Sequence, residues 1–490
     1  MTPHPRTAAP TISLPDSTTV KNGEGRLARE RPQLGSVVAA VALVVALVAA
    51  LGSVYAGPQT IRLLGLVGSD EQAKWTAGVT PELPPAVLAA MDSQAPLPSP
   101  DGVKAAIGSL LTAPALGPHI TASVVDVATG QVLYSSEPDA AMTPASTTKV
   151  VTAVTALAAR GPAYRIPTRV VAGAQPGEVV LIGGGDPTLA VFQTPYYPGA
   201  ARLDDLAAQV KKSLGDTAPT KVVYDMSLFV GSGIGPGWDA DATTEGSGAV
   251  ITPLMTEGGR PNGGQYAKRY PQPDVQAAQA FAKMLGLPAT AAVAGTAPAG
   301  AKELGKVESA PMVRLVESML LQSDNVLADI LARQVALAKN QPASFEGGAA
   351  AMRMVLEELN VPVTGYGLVD GSGFSRNDRL SPALLTTLLA MSARSDRADL
   401  HGIFGGLPVA GYSGTLTGRF VKTQEGAGAA GLVRAKTGTL TGVNSLAGIV
   451  VDADGRTLAF AFMADATTDR DKAVVALDRV AAALAACGCR

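Results

Sequence analysis

From Ser36 to Ala56 the chain runs without a single charged residue. At ~1.5 Å of rise per residue, a helix of that length extends about 30 Å, the thickness of a bilayer's hydrocarbon core. A helix in a soluble domain needs only one apolar face, so this segment reads as membrane-crossing, and it constrains everything that follows it. Lys21, Arg26, Arg29 and Arg31 precede it, whereas up to Trp75 only Arg62 and Lys74 follow. That bias of basic residues places residues 1–35 in the cytoplasm and the remainder outside. Val54-Tyr55-Ala56 also offers small or aliphatic residues where a signal peptidase reads, so cleavage after Ala56 is the alternative to an anchor. The long apolar run and its long, mixed polar leader favour the anchor. In both cases residues 57 onward are expected to be extracytoplasmic.

The remaining chain is long enough for a sizeable core: 490 residues in all, 47% of them hydrophobic. A formal net charge of -2 provides no basic field to hold a polyanion, so nucleic acid is excluded as a partner. Only His4, His119 and His401 are available, and His4 lies in the leader, which leaves little from which to build a Ser/His/Asp triad. The two cysteines, Cys487 and Cys489, sit at the C-terminus. They cannot assemble a zinc quartet and read as an inert surface tail, with an intermolecular bond or a strained local disulfide as the rarer readings. No metal or cofactor is expected.

Residues 57–97 are rich in Pro, Ala and small polar residues and read as a spacer. Folded pattern begins near Val103, with a helical stretch to Leu111. Residues 120–139 then alternate as two strands around Ala128-Thr129-Gly130, the pattern of a hairpin. From Ser146 to Ala159 apolar residues recur at helical spacing, stopped by Gly161-Pro162. Beyond about residue 165 the texture changes to short strands with glycine turns. Long helices return at residue 311, so 165–305 reads as an inserted α/β domain within a catalytic domain of residues 98–164 and 306–490. The fold class expected is mixed α and β.

Three short elements carry chemistry. Ser146-Thr147-Thr148-Lys149 puts a hydroxyl and an amine on one helical face at a helix start, where free N–H groups suit a developing oxyanion. The lysine can act as a base only if burial and a second cation lower its pKa. Ser323-Asp324-Asn325 lies at a turn between two helices and can present Ser323 and Asn325 to a cleft. Lys436-Thr437-Gly438-Thr439 opens a strand, offering a cation and hydroxyls to a carboxylate and a glycine for close approach of substrate backbone. Taken singly these are equally an N-cap with a solvated lysine, a helix–helix turn and a loop before a strand.

Their order, Ser-x-x-Lys, Ser-x-Asn, Lys-Thr-Gly, is the signature of penicillin-binding proteins and serine β-lactamases. The likeness extends to Leu181–Leu189 (LIGGGDPTL), Asp225–Phe229 (DMSLF), Pro236-Gly237-Trp238, Asp370–Arg376 (DGSGFSR), Ser413–Leu416 with Arg419, and Ala435–Leu440 (AKTGTL). With these stretches the chain resembles the insert-bearing D-alanyl-D-alanine carboxypeptidases and endopeptidases, the class C low-molecular-mass penicillin-binding proteins. The resemblance implies a helical cluster on an antiparallel sheet and a substrate ending in D-Ala-D-Ala, the stem peptide of peptidoglycan, with β-lactam antibiotics as covalent inhibitors. By the same resemblance Ser146 is the nucleophile, Lys149 its base, Ser323 a proton relay and Asn325 the group that orients the substrate amide. Lys436, Thr437 and Thr439 then hold the terminal carboxylate, the N–H groups of Ser146 and Thr439 form the oxyanion hole, and Gly438 completes the binding strand. Arg376, with Asp239 or Asp241, falls where the family meets the side chain of the stem peptide. The stretch between Ser146 and Ser323 is shorter than in the fullest members, which implies that a second nested insert is missing.

Two other readings share these residues. In a β-lactamase of one class a glutamate followed two residues later by Leu-Asn activates water. Glu357-Glu358-Leu359-Asn360 is a partial match, but the position that should hold the glutamate, three before the leucine, is Leu356. The stretch reads more simply as an amphipathic helix closed by Asn360. The other reading is an idle wall-binding or sensory domain, against which stands the presence of every motif side chain.

Overall fold

The computed structural model describes residues 95–420 and 426–490; the segment 36–56 lies outside them. Among the described residues no helix is long and apolar enough to cross a membrane. The first helix, α1 (Pro100–Ile107), starts with Pro in its first turn and Ser99 as cap, whose Oγ accepts from Gly102 N. It stops at Gly108, before the Leu111 expected from sequence, which falls instead in a short 3-10 turn. β1 (His119–Asp126) and β2 (Val132–Ser136) form the hairpin. A 3-10 turn over Ala145–Thr147 leads into α2 (Thr148–Arg160), which ends at Gly161 with φ 79°.

The next strands and helices are β3 (Pro167–Ala172), β4 (Glu178–Ile182), α3 (Leu203–Leu214), β5 (Lys221–Asp225), α4 (Pro273–Met284), β6 (Ala292–Gly295) and β7 (Glu303–Glu308). They build a sheet of order β6-β5-β4-β3-β7, parallel from β4 to β6 and antiparallel around β3. Val170, Val179, Leu181 and Val222 of this sheet pack with Leu206 of α3 and Phe281 of α4 in a core of their own. The chain then returns as α5 (Met312–Gln322), α6 (Asn325–Ala338), α7 (Phe345–Glu358) and α8 (Pro382–Ser392). It ends in β8 (Val433–Leu440), β9 (Val443–Val451), β10 (Thr457–Asp465) and α9 (Arg470–Ala485).

The larger sheet, order β2-β1-β10-β9-β8, is antiparallel throughout. β10 shows why its strands read as continuous apolar runs: alternate residues serve two cores. Ala459, Ala461 and Met463 pack with α2 and the helices α5 to α8. Leu458, Phe460, Phe462 and Ala464 pack on the other face with α1 and α9. The result is the mixed α and β fold expected, a helical cluster and an antiparallel sheet.

A fourth apolar cluster joins Ala249, Ile251 and Met255 to Val326 and Ile330 of α6 and Phe345 of α7, with Phe229 and Trp238 against it. It seats the segment between β5 and α4 on α6, which begins at the second motif, and on α7. The C-terminal tail differs from the inert surface tail expected. Cys487 is buried in the core beneath α1 and α9 and is disulfide-bonded to Cys489, whose carbonyl accepts from Ser99 N at 2.6 Å.

Candidate active site

Ser146 lies in the 3-10 turn and not in the first turn of the helix proper, which begins at Thr148. The turn is held in an unusual shape: Ala145 has φ 48°, a left-handed conformation that costs a non-glycine residue about 1 kcal/mol. The compensation comes from the sheet. The Pro144 carbonyl accepts hydroxyl hydrogens from Thr147 and from Ser445 of β9, both at 2.7 Å.

Lys149 follows with a wholly buried side chain. Its Nζ lies 3.0 Å from Ser146 Oγ, 2.6 Å from Asn325 Oδ1 and 2.6 Å from the Ser372 carbonyl oxygen. Asn325 is oriented by its own amide, whose Nδ2 donates to the Ser247 carbonyl at 3.0 Å, so Oδ1 is the atom left to face Lys149. Both the amide oxygen and the carbonyl accept only, so two of the lysine's hydrogens are committed to them. The third tetrahedral position points at Ser146. In the neutral amine that position is the lone pair, aimed at the Ser146 hydroxyl.

The second motif closes the other side. α5 ends at Ser323 in the left-handed conformation (φ 55°, ψ 41°), and Asp324 caps α6 through Leu327 N. This reversal turns Ser323 toward β8, where Lys436 Nζ donates to Ser323 Oγ and to the Thr437 carbonyl, each at 2.9 Å. β8 is the edge strand of its sheet, and its residues alternate: Lys436 and Gly438 are buried, while Thr437 and Thr439 are half-exposed and line the cleft with Ser146, Ser323 and Asn325. Lys436 therefore lies beneath the wall, bonded to Ser323 and to the strand.

Gly438 has a steric reason as well as a chemical one. A Cβ there would stand 2.1 Å from Ser445 Oγ and 2.6 Å from the Pro144 carbonyl oxygen, so only glycine lets β8 close on the turn that carries Ser146. Gly438→Ala is expected to lose roughly 1–3 kcal/mol of stability through this overpacking and to slow acylation by about tenfold or more. Thermal unfolding and penicillin acylation rates check it; a variant as stable and as fast as the wild type would mean the strand does not press on the turn.

Burial is the largest influence on both lysines. It holds the Lys149 ammonium down to about 8 against the opposing pull of Asp329, Asp370, Asp324 and Asp378. It pushes Lys436 well below the usual lysine range, assisted by the charges of Lys149 and Arg419. A base poised near neutrality beside a hydroxyl, in a cleft edged by the last strand of a sheet, is the equipment of acyl transfer through serine.

The family model for D-Ala-D-Ala carboxypeptidase 3 (S13) matches residues 103–269 and 260–484. The chain belongs to the S13 peptidase family. A carboxypeptidase of Mycobacterium tuberculosis is 39% identical over 84% of this chain and 90% of its own length. Carboxypeptidase DacB of Mycolicibacterium smegmatis is 36% identical over 92% of this chain and 96% of its own. The fold matches the crystal structure of penicillin binding protein 4 from Haemophilus influenzae with a TM-score of 0.64 at 23% identity, covering 77% of this chain and 97% of that one.

Within this S13 peptidase the remaining sequence candidates fall nearby but outside the set just described. Arg376 donates to the Thr441 carbonyl at 3.1 Å and faces Asp239 at 3.6 Å. Asp241 is exposed and holds a turn through its carbonyl, which accepts from Thr244 and Glu245. Sequence reasoning missed the groups that support the motifs. Asp370 accepts from Ser372 N, Gly373 N and Ser375 N and so shapes the loop whose Ser372 carbonyl meets Lys149. Gly373 lets that loop approach, since a Cβ there would lie 1.8 Å from the Ala145 carbonyl oxygen. Asp324 is buried with Arg260 at 3.1 Å and accepts from the Tyr197 hydroxyl at 2.7 Å. The stretch DGSGFSR carried the sequence signal for Asp370 and Gly373, and the second motif that for Asp324, but neither gave a bonding pattern, and Tyr197 and Arg260 had no signal.

Proposed function

We propose that the protein is a serine-type D-Ala-D-Ala carboxypeptidase that trims peptidoglycan stem peptides outside the cytoplasmic membrane, held there by the segment 36–56. The observation that carries the mechanism is the placement of Lys149: two acceptors fix two of its hydrogens and the third position meets Ser146 Oγ. Neutral Lys149 takes the Ser146 proton as Oγ attacks the carbonyl carbon of the penultimate D-Ala. The oxyanion forms against the N–H groups of Ser146 and Thr439, and the terminal carboxylate lies along Thr437 and Thr439. Ser323, its hydroxyl held by Lys436, passes its proton to the leaving nitrogen and takes in return the proton that Lys149 received from Ser146, which leaves Lys149 neutral again. The C–N bond breaks and D-Ala departs. Water then gives a proton to Lys149, attacks the ester carbonyl and restores Ser146.

β-Lactams enter by the same attack and leave an acyl group on Ser146. The β-lactamase alternative gains nothing from Glu357 and Glu358 of α7, which pair with Arg353 of the same helix and with Lys339 at the end of α6, outside the residues that line the cleft. Arg376 and Asp239 are assigned to the stem peptide's polar side chain, with Asp241 as the neighbouring carboxylate. The test is mass spectrometry of products from a pentapeptide and from a cross-linked dimer. Release of one D-Ala from the pentapeptide supports the reading. Cleavage of neither substrate by properly folded protein refutes it, and cleavage of the dimer as well adds endopeptidase activity.

A further inference from the structure

Three hydrogen-bonded routes run from the residues between β3 and β7 to groups that surround Lys149. Tyr197 and Arg260 hold Asp324, and the Ser247 carbonyl accepts from Asn325. The third begins at Trp238, whose indole Nε1 donates to Asp370 Oδ2 at 2.8 Å. The ring packs edge-on against Phe345 and Phe374, with centroids 5.6 and 5.4 Å away, so the N–H is held on its acceptor. Asp370 in turn accepts from Ser372 N at 2.9 Å, Gly373 N at 2.7 Å and Ser375 N at 2.8 Å, and the Ser372 carbonyl takes a hydrogen from Lys149.

We infer that the segment between β5 and α4 is a working part of the catalytic apparatus, with Trp238 as a positioning residue that sets the base through Asp370 and the Ser372 carbonyl. The inference rests on the proposed role of Lys149 as base. The indole dipole opposes the negative charge of Asp370, one of the groups that pull Lys149 toward its charged form; the others are Asp324 and Asp329 at α6 and Asp378 beside Asp370. Lys436 on β8 is the facing amine, held well below the usual lysine range by burial and by the charge of Lys149. Removing the indole N–H leaves the carboxylate less compensated and the loop less fixed. The less compensated carboxylate favours the ammonium, so the midpoint of Lys149 moves up.

The experiment compares full-length wild type with Trp238→Phe, which keeps an aromatic ring between Phe345 and Phe374 but loses the donor. Lysine labelled with 13C at Cε is titrated by NMR, with the Lys149 resonance assigned by its loss in Lys149→Arg. Penicillin acylation is followed over the same pH range. The expected result is a Lys149 midpoint raised by about one unit, an acylation limb moved equally, and about tenfold less reaction at pH 7 with unchanged penicillin affinity. If Trp238→Phe fails to fold, the benzothienyl analogue of tryptophan, with sulfur in place of N–H, is introduced at 238. An unmoved Lys149 midpoint overturns the inference, whatever happens to affinity. Failure of the wild type to acylate would count against the proposed function, while the NMR comparison would still decide the coupling.

Discussion

Lys149→Ala is expected to slow acylation of Ser146 by roughly two to four orders of magnitude, the usual contribution of a positioned proton acceptor, and to erase the rising limb of its pH profile. In the wild type that limb should have its midpoint near 8, where burial has brought the lysine. Below it the ammonium has no lone pair for the Ser146 proton, so at pH 7 about one tenth of the molecules carry the competent amine. Above it the rate levels off. Loss of the lysine removes the acceptor at every pH, and the residual rate should rise only with hydroxide. The check is the acylation rate at saturating penicillin from pH 6 to 10. A variant that kept a limb near pH 8 would move the role of base to another group.

Lys436→Ala is expected to lower the maximal acylation rate by about 100-fold and to shift the wild-type limb to higher pH. Its Nζ is the hydrogen-bond partner of Ser323, so the relay to the leaving nitrogen loses its orientation. Burial and the charge of Lys149 push Lys436 well below the usual lysine range, and whatever charge Lys436 retains depresses Lys149 in return. Without it the Lys149 ammonium is easier to keep, and less neutral base is present near pH 7. Had Lys436 served only to anchor a carboxylate, its removal would raise KM with little change in kcat. A raised KM with an unmoved limb would therefore restrict Lys436 to binding.

Motifs and helices were legible because each depends on neighbours in sequence. The helix expected from residue 311 is α5, the helix after the Ser-x-Asn turn is α6, and the hairpin around Ala128-Thr129-Gly130 is β1 and β2. Asn360 closes the end of α7 with φ 57°, as its position before Val361-Pro362 suggested. What could not be read depends on distant segments meeting. Nothing in a linear pattern says that the Ser372 carbonyl faces Lys149, that Trp238 reaches Asp370, or that an αL residue at 323 turns a hydroxyl toward a lysine on β8. The start of α2 was misplaced for a related reason. Ser146 continues the apolar spacing of the helix, yet contacts of Pro144 with Thr147 and Ser445 hold its turn in 3-10 form.

The most direct test is to find which atom penicillin acylates. Full-length wild type and Ser146→Ala are incubated with penicillin, digested and mapped by mass spectrometry. The expected result is one penicilloyl group per wild-type chain, on the peptide containing Ser146, and none on the variant, which should melt like the wild type because one small half-buried hydroxyl is lost. Labelling of another serine that persists in Ser146→Ala, or a folded wild type that takes up no label, would contradict the assignment of Ser146 and Lys149 as nucleophile and base.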